Sequence, residues 1–189
     1  MSKLRIFNVI DASSVLFETR NPVAITAKLS EIGVAFERWQ AAFELTPGAS
    51  PESVLSAYKS DIEQLMQTGG YQSVDVVSLY PEHPDRAAMR QKFLNEHTHA
   101  EAEIRFFVAG SGLFTIHATS ADGVDQVFEL ECQKDDLINL PAGTQHWFDM
   151  GEAPFFVAIR IFTNPSGWVA NFTGSVLSER FPRYQGESV

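Results

Sequence analysis

From Gly70 onward the chain alternates short apolar runs with turn residues, and this spacing constrains the fold more than any other feature. The runs are "VDVVSLY", "EIRFFVAG", "GLFTIHAT", "VDQVFEL", "DLINLPAG" and "FFVAIRIF", and the breaks between the later ones are "GSG", "ADG", "PAG" and "MGEAP". Runs this short, rich in β-branched and aromatic residues, cannot form long amphipathic helices, and the glycine-containing breaks are turns. Strands joined by tight turns pair antiparallel, so the pattern predicts a sandwich or a small barrel. No internal repeat and no low-complexity segment interrupts it.

Ahead of this region the chain reads as helical. Asn21 and Pro22 have the form of an N-cap followed by proline at the first helical position. Ile25, Leu29, Ile32, Phe36, Trp39 and Phe43 then recur at three- and four-residue steps, which predicts one face of an amphipathic helix. After "TPGASPES", Ser50 and Pro51 repeat the cap signal, and Val54, Leu55, Tyr58, Ile62, Leu65 and Met66 form a second stripe that stops at Gly69 and Gly70. "HPDRAAMRQKFLNE" is a candidate for one more short helix. The expectation is a single mainly-β domain over residues 1–189, with a helical part at about 22–69, a barrel at about 71–172 and a polar C-terminal segment at 173–189 that is either an arm or loosely ordered.

Composition narrows the function. The 189 residues are 44% hydrophobic and include 15 phenylalanines, enough for a packed core. The net charge is −10 and the 14 basic residues are scattered, which argues against nucleic acid or an anionic membrane as partner. Cys132 is the only cysteine, so neither an intrachain disulfide nor a cysteine-based zinc cluster can form. It reads as an inert, half-buried thiol rather than a nucleophile. The N-terminus lacks the apolar core of a signal peptide, and no run approaches the roughly 20 apolar residues that span a bilayer. A cytoplasmic protein is expected, and without a heptad seam a monomer is the default.

The candidate chemistry lies in "EHTHAEAEIRFFVAG". His97, His99, Glu103 and Arg105 have odd numbers, so a continuous strand would present all four on one face. Burying such groups without partners costs several kcal/mol, and a divalent cation would satisfy them: neutral imidazole is the commonest protein metal ligand and a carboxylate compensates charge. In "NLPAGTQHWF" a Pro-Ala-Gly turn reverses the chain and His146 follows it, so His146 can complete a site of three nitrogens and one oxygen. Taken singly, a His-x-His pair is more often solvent-exposed, and Pro-x-Gly is simply a turn. Together they place three of the five histidines beside a glutamate of matching parity. His83, in a proline-rich loop, and His117, in a strand, read as structural.

These residues resemble the two motifs of the cupin superfamily. "HTHAEAEIRFFVAG" carries His97, His99, Glu103 and Gly110 in the register of the first motif, and "PAGTQHWFDM" carries Pro141, Gly143 and His146 in that of the second. The glycines that usually open the motifs are replaced by Gln91 and Asp135, and the asparagine that often closes the second by Met150. A narrower likeness runs along most of the chain: "FLNEHTHAEAEIRFFVAGSGLF", "LPAGTQHWFDMG" and "RIFTNPSGWVANFT" resemble the acireductone dioxygenase family of methionine salvage.

The resemblance implies a cupin-type jelly-roll barrel preceded by helices, with one Fe(II) or Ni(II) on His97, His99, Glu103 and His146. It implies that Arg105 stabilises a doubly deprotonated substrate, that Phe93, Phe148 and Trp168 line the pocket, and that Arg160 lies near its floor. Glu96 is implied in metal incorporation or in support of the ligands. The family's substrate is 1,2-dihydroxy-5-(methylthio)pent-1-en-3-one, cleaved with O2. The iron form yields formate and 4-methylthio-2-oxobutanoate; the nickel form yields 3-methylthiopropanoate, formate and carbon monoxide. Many members carry an acidic residue where this chain has Ala102, so the communication role tied to that position lacks its group here.

Bland readings stand beside these. Trp168 and Phe148 could be core aromatics, Arg160 could pair with a surface carboxylate, and Glu96 could be a solvated charge. Two other functions compete: another cupin enzyme, such as a different dioxygenase or a sugar-phosphate isomerase, and a metal-dependent binding protein without turnover. The lack of a clear Lys/Arg cluster for phosphate argues against the isomerase. Consumption of dioxygen in the presence of the acireductone separates the enzyme from the binder.

Overall fold

The computed structural model of the chain describes residues 1–46 and 48–186. In chain order the strands are β1 (Lys3–Asn8), β2 (Asp11–Thr19), β3 (Ala35–Arg38), β4 (Ser73–Leu79), β5 (His97–Thr98), β6 (Glu103–Thr119), β7 (Asp125–Gln133), β8 (Asp136–Leu140), β9 (Gln145–Asp149), β10 (Phe156–Phe162) and β11 (Asn171–Phe172). The helices are α1 (Pro22–Ser30), α2 (Pro51–Ala57), α3 (Lys59–Gly69) and α4 (Arg86–Leu94), and a 3-10 turn spans Leu177–Arg180.

All strand pairs are antiparallel and form two layers that share β6. One layer runs β11-β5-β9-β6-β7-β1-β2; the other is built by β4, β10, the first half of β6, β8 and β3. This is the cupin-type arrangement expected, although the hydrogen-bonded ladder does not close into a ring among the described residues. Between the layers lies a core that includes Leu4, Ile6, Phe107, Phe114, Ile116, Phe128, Phe148 and Phe156.

The outer face of the second layer is covered by the helices. Val54, Tyr58 and Ile62 pack on Ile104, Phe106, Val108, Val157, Ile159 and Ile161. Strand β10 is therefore buried along its whole length, which explains why "FVAIRIF" reads as a continuous apolar run rather than an alternation.

Four local expectations are corrected. The stripe from Ile25 to Phe43 is not one helix. Helix α1 ends in a Schellman motif, with Val34 N–H donating to Leu29 C=O at 3.0 Å, Gly33 N–H donating to Ser30 C=O at 3.0 Å, and Gly33 at φ +77°. Phe36 then belongs to β3, which pairs with β8. The second stripe is bent at Tyr58 (φ −101°, ψ 19°), whose fully buried ring packs on Phe43 and Phe106. The first twenty residues, taken as part of a helical half, are strands β1 and β2, and β1 adds to the sheet beside β7. "GSG" is not a turn: it lies inside the seventeen-residue β6. There Gly110 at φ +65° passes so close to the chain that a Cβ would sit 1.7 Å from the Phe155 carbonyl oxygen, and the strand bends from one layer to the other.

The C-terminal segment is docked rather than loose. Leu177 and Phe181 are buried against Phe7, Val127 and Trp147, and Tyr184 N–H donates to Asp149 at 2.9 Å. Residues 187–189 of the expected arm lie outside the described residues. Cys132, expected half-buried, is fully buried, and burial pushes its thiol well above the usual range. Among the described residues no helix is long and apolar enough to cross a membrane.

Candidate metal centre

Three elements bring the imidazoles together. His97 on β5 is the direct antiparallel partner of His146 on β9, and their ring centroids are 4.4 Å apart. Strand β5 ends at Thr98, so the expectation of one continuous strand from His97 to Arg105 is not met. The chain instead turns between His99 and Ala102, and the Pro-Ala-Gly turn holds it there: Gly143 N–H donates to the His99 carbonyl at 2.8 Å. Alternation resumes in β6. Glu103, Arg105 and Phe107 face the interior, while Ile104, Phe106 and Val108 face the helices.

Each ring is oriented by a backbone carbonyl. Nδ1 of His97 lies 2.7 Å from Asn95 O, Nδ1 of His99 lies 2.7 Å from Val169 O, and Nδ1 of His146 lies 2.9 Å from Thr144 O. A carbonyl only accepts, so each Nδ1 carries its proton and each Nε2 keeps a free lone pair. The three ligand-capable nitrogens lie within 4.8 Å of one another. Glu103 Oε2 stands 3.1 Å from His99 Nε2 and 3.7 Å from His146 Nε2. The 3.1 Å approach lacks hydrogen-bond geometry, and all three of these buried atoms are left without a hydrogen-bond partner.

The electrostatics keep these donors ready for a cation. Burial pushes the His97 imidazole down to about 4 and that of His146 to about 3, so both are neutral at neutral pH. Burial alone would raise Glu103, but the Arg105 charge, aided by His99 and His146, outweighs it and holds the carboxyl well below the usual range. A carboxylate oxygen and three buried imidazole nitrogens converge here, with Glu103 Oε2, His99 Nε2 and His146 Nε2 all lacking partners, and such a donor set fits a divalent cation.

Arg105 donates through Nη2 to Glu103 Oε1 at 2.8 Å. Its guanidinium lies 4.6 Å from the Phe114 ring centroid and 5.0 Å from that of Phe148, and its Nε has no partner. Phe93 packs edge-on to Phe148 at 6.4 Å and to Trp168 at 5.6 Å. Trp168 stands 5.6 Å from the His97 ring and 5.7 Å from that of His99, with its indole N–H unpartnered. Arg160 bonds Asp75 through both Nε and Nη2 at 2.7 Å, the carboxylate pairing considered above, while its guanidinium lies 5.6 Å from Trp168. Glu96 is not a solvated charge. It is 2% exposed, and it accepts from the Thr173 hydroxyl at 2.6 Å.

Sequence reasoning missed Phe114 and Thr173. Phe114 lies beyond the Gly110 bend, where even-numbered rather than odd-numbered residues face the core, so parity counted from His97 hides it. No local signal points from Thr173 to Glu96. A cavity of about 530 Å³ between Pro81, Lys134, Phe155 and Tyr184 contains none of the candidate residues; donor chemistry, not volume, locates the site.

Two antiparallel layers enclosing a histidine triad and a glutamate define a metal-binding protein of the cupin type. The particular family follows from comparison: residues 9–170 match the ARD/ARD' family, and the chain belongs to it. It is 54% identical over 184 residues to the acireductone dioxygenase of Xylella fastidiosa (strain 9a5c), covering 97% of this chain and 95% of that protein. Identity is also 54% over 184 residues to the acireductone dioxygenase of Stenotrophomonas maltophilia (strain K279a), at 97% coverage of both. The fold matches a solved acireductone dioxygenase from Bacillus anthracis, with a cadmium ion in its active center, at a TM-score of 0.76. That pair is 29% identical, over 91% of this chain and 98% of the other.

Proposed function

We infer that this protein is a metal-dependent acireductone dioxygenase that uses Fe(II) or Ni(II). The observation that carries the reading is the set of three buried imidazoles, each with Nδ1 tied to a carbonyl and Nε2 turned to a common point beside Glu103. Relatives named acireductone dioxygenase at 54% identity over nearly the whole chain support the same reaction.

His97, His99, His146 and Glu103 would hold the cation, which supplies Lewis acidity to two adjacent enediolate oxygens and access to dioxygen chemistry. The chain does the rest. Arg105, buried between two aromatic rings, presents a fixed positive charge to the substrate dianion without having to shed water. Its bond to Glu103 also keeps that carboxylate ionised and turned toward the imidazoles. Phe93, Phe148 and Trp168 form an apolar wall suited to a methylthio tail and exclude solvent. Arg160, anchored by Asp75, would close the pocket floor beside Trp168. Glu96 supports the strand that carries His97. The reading is of a cytoplasmic, monomeric enzyme acting on a small molecule and O2.

Metal analysis coupled to oxygen uptake and product identification tests it. With freshly generated acireductone the protein should consume O2 and release formate. 4-Methylthio-2-oxobutanoate marks the iron branch, and carbon monoxide with 3-methylthiopropanoate marks the nickel branch. Metal-loaded protein that binds the acireductone and consumes no O2 would make it a binding protein instead.

A further inference from the structure

Strand β5, which carries His97, is two residues long and is flanked by irregular chain, so its position must be imposed from outside. On one side β9 pairs with it at His97–His146; the other side is held by residues 169–173. Asn171 and Phe172 pair with Thr98 and His97, the Val169 carbonyl orients His99 at 2.7 Å, and Thr173 N–H donates to the Glu96 carbonyl at 3.1 Å. The Thr173 hydroxyl adds a 2.6 Å bond to Glu96 Oε1. The other carboxylate oxygen, Oε2, lies 3.3 Å from His117 Nδ1, and His117 Nε2 in turn lies 3.1 Å from Asp125. Among the described residues no lysine or arginine pairs with Glu96. A buried carboxylate with so few partners depends on each of them.

We propose that Thr173 is a positioning residue for the metal centre, acting through Glu96 on the backbone that places His97. The inference rests on the metal-site reading above. Thr173→Val keeps the β-branched shape and the backbone pairing, and it still covers Glu96 from solvent, but it removes the donor. Glu96 Oε1 is then buried without a partner, and the peptide preceding His97 shifts to relieve it. Partners that touch a ligand directly contribute roughly 10–100-fold to metal affinity. Thr173 acts one residue further away, so an effect of about fivefold is expected.

The test uses cobalt(II) as the probe, with affinity from chelator competition and geometry from the visible absorption of bound cobalt. Thr173→Val should raise the dissociation constant about fivefold and change the cobalt spectrum. Thr173→Ser, which restores the hydroxyl, should return both to the parent values. Thr173→Ala, which leaves room for a water, should fall between. Thermal unfolding of the metal-free proteins supplies the control. A Thr173→Val protein that loses thermal stability but binds cobalt with parent affinity and spectrum would overturn the proposal and leave Thr173 a merely structural residue. A parent protein that takes up no cobalt, iron or nickel would instead sink the metal-site reading, and this inference with it.

Discussion

At the residue scale the centre depends on which nitrogen of each imidazole carries the proton. Asn95, Thr144 and Val169 offer only carbonyl oxygens to Nδ1, so the tautomer is settled before any cation arrives. Burial then keeps His97 and His146 neutral. Removing one donor should cost occupancy: His97→Ala is expected to lower metal content and oxygen uptake together, and full occupancy with parent turnover would remove His97 from the site. Arg105 is different, because it touches Glu103 and two rings and lies beside the imidazoles. A bound cation itself keeps Glu103 ionised, so Arg105→Ala should still load metal, though more weakly, while turnover of the loaded protein falls by about 10²–10³-fold, the scale of losing one preorganised charge partner. Metal analysis beside an oxygen electrode separates the two variants. Asp135 shows how a departure from the cupin pattern is accommodated. It holds the glycine-like φ of 77°, and its carboxylate accepts from Ala41 N–H at 2.9 Å and pairs with Arg38, contacts that glycine could not make.

At the element scale β6 organises the molecule, since it pairs with β8 and β10 before Gly110 and with β7 and β9 after it. Just before the bend a one-residue bulge at Val108, where Ala158 pairs with Phe107 and Val157 with Ala109, reverses which side chains face inward, so that Glu103 and Arg105 from one half meet Phe114 from the other. Gly110→Ala would set a Cβ against the Phe155 carbonyl and force a side chain into the left-handed region. An expected loss of at least ~2 kcal/mol in urea unfolding follows, with weaker metal binding because the two halves of β6 no longer keep their angle. Parent-like stability in that variant would show that the bend is not set at this residue. Helix α4 is tied in a comparable way: Arg90 grips Asp149 at 2.8 and 3.2 Å and so fixes the helix that carries Phe93 beside the strand that carries Phe148.

At the scale of the whole molecule the inner core, the helical cover and the docked C-terminal segment bury several charges outside the metal centre. Glu129 on β7 pairs with Arg5 on β1 at 2.7 Å, yet burial outweighs that pair and raises its carboxyl above the usual value of 4.5. A raised acid in the folded state means that folding favours the protonated form. Its contribution is therefore greatest at low pH and is lost as pH rises from about 4.5 through the raised value. Glu129→Gln removes this falling term and leaves the rising one from the buried neutral His97 and His146, so its unfolding free energy should climb more steeply with pH than the parent's across that window. Denaturant titrations at a series of pH values measure the two slopes, and identical slopes would refute the assignment.

The elements legible in the chain were those decided by neighbours in sequence. The caps at Asn21 and Ser50, the stop at Gly70, the turn at Gly143 and the spacing of His97, His99, Glu103 and His146 all rest on local backbone geometry or on motif register. The Schellman glycine at position 33 was equally local and was overridden by an apolar stripe that ran past it. What the sequence concealed was decided at long range. Phe36 is a strand residue because β8 offers its edge, and β10 shows no alternation because both of its faces are covered. The inward face of β6 changes at Val108 because its pairing with β10 slips by one residue there. Glu96 is held by Thr173, far along the chain, through a hydrogen bond that forms only when the two segments meet. Periodicity reports only that a side chain is sheltered; which partner shelters it depends on contacts that do not exist until the two layers close.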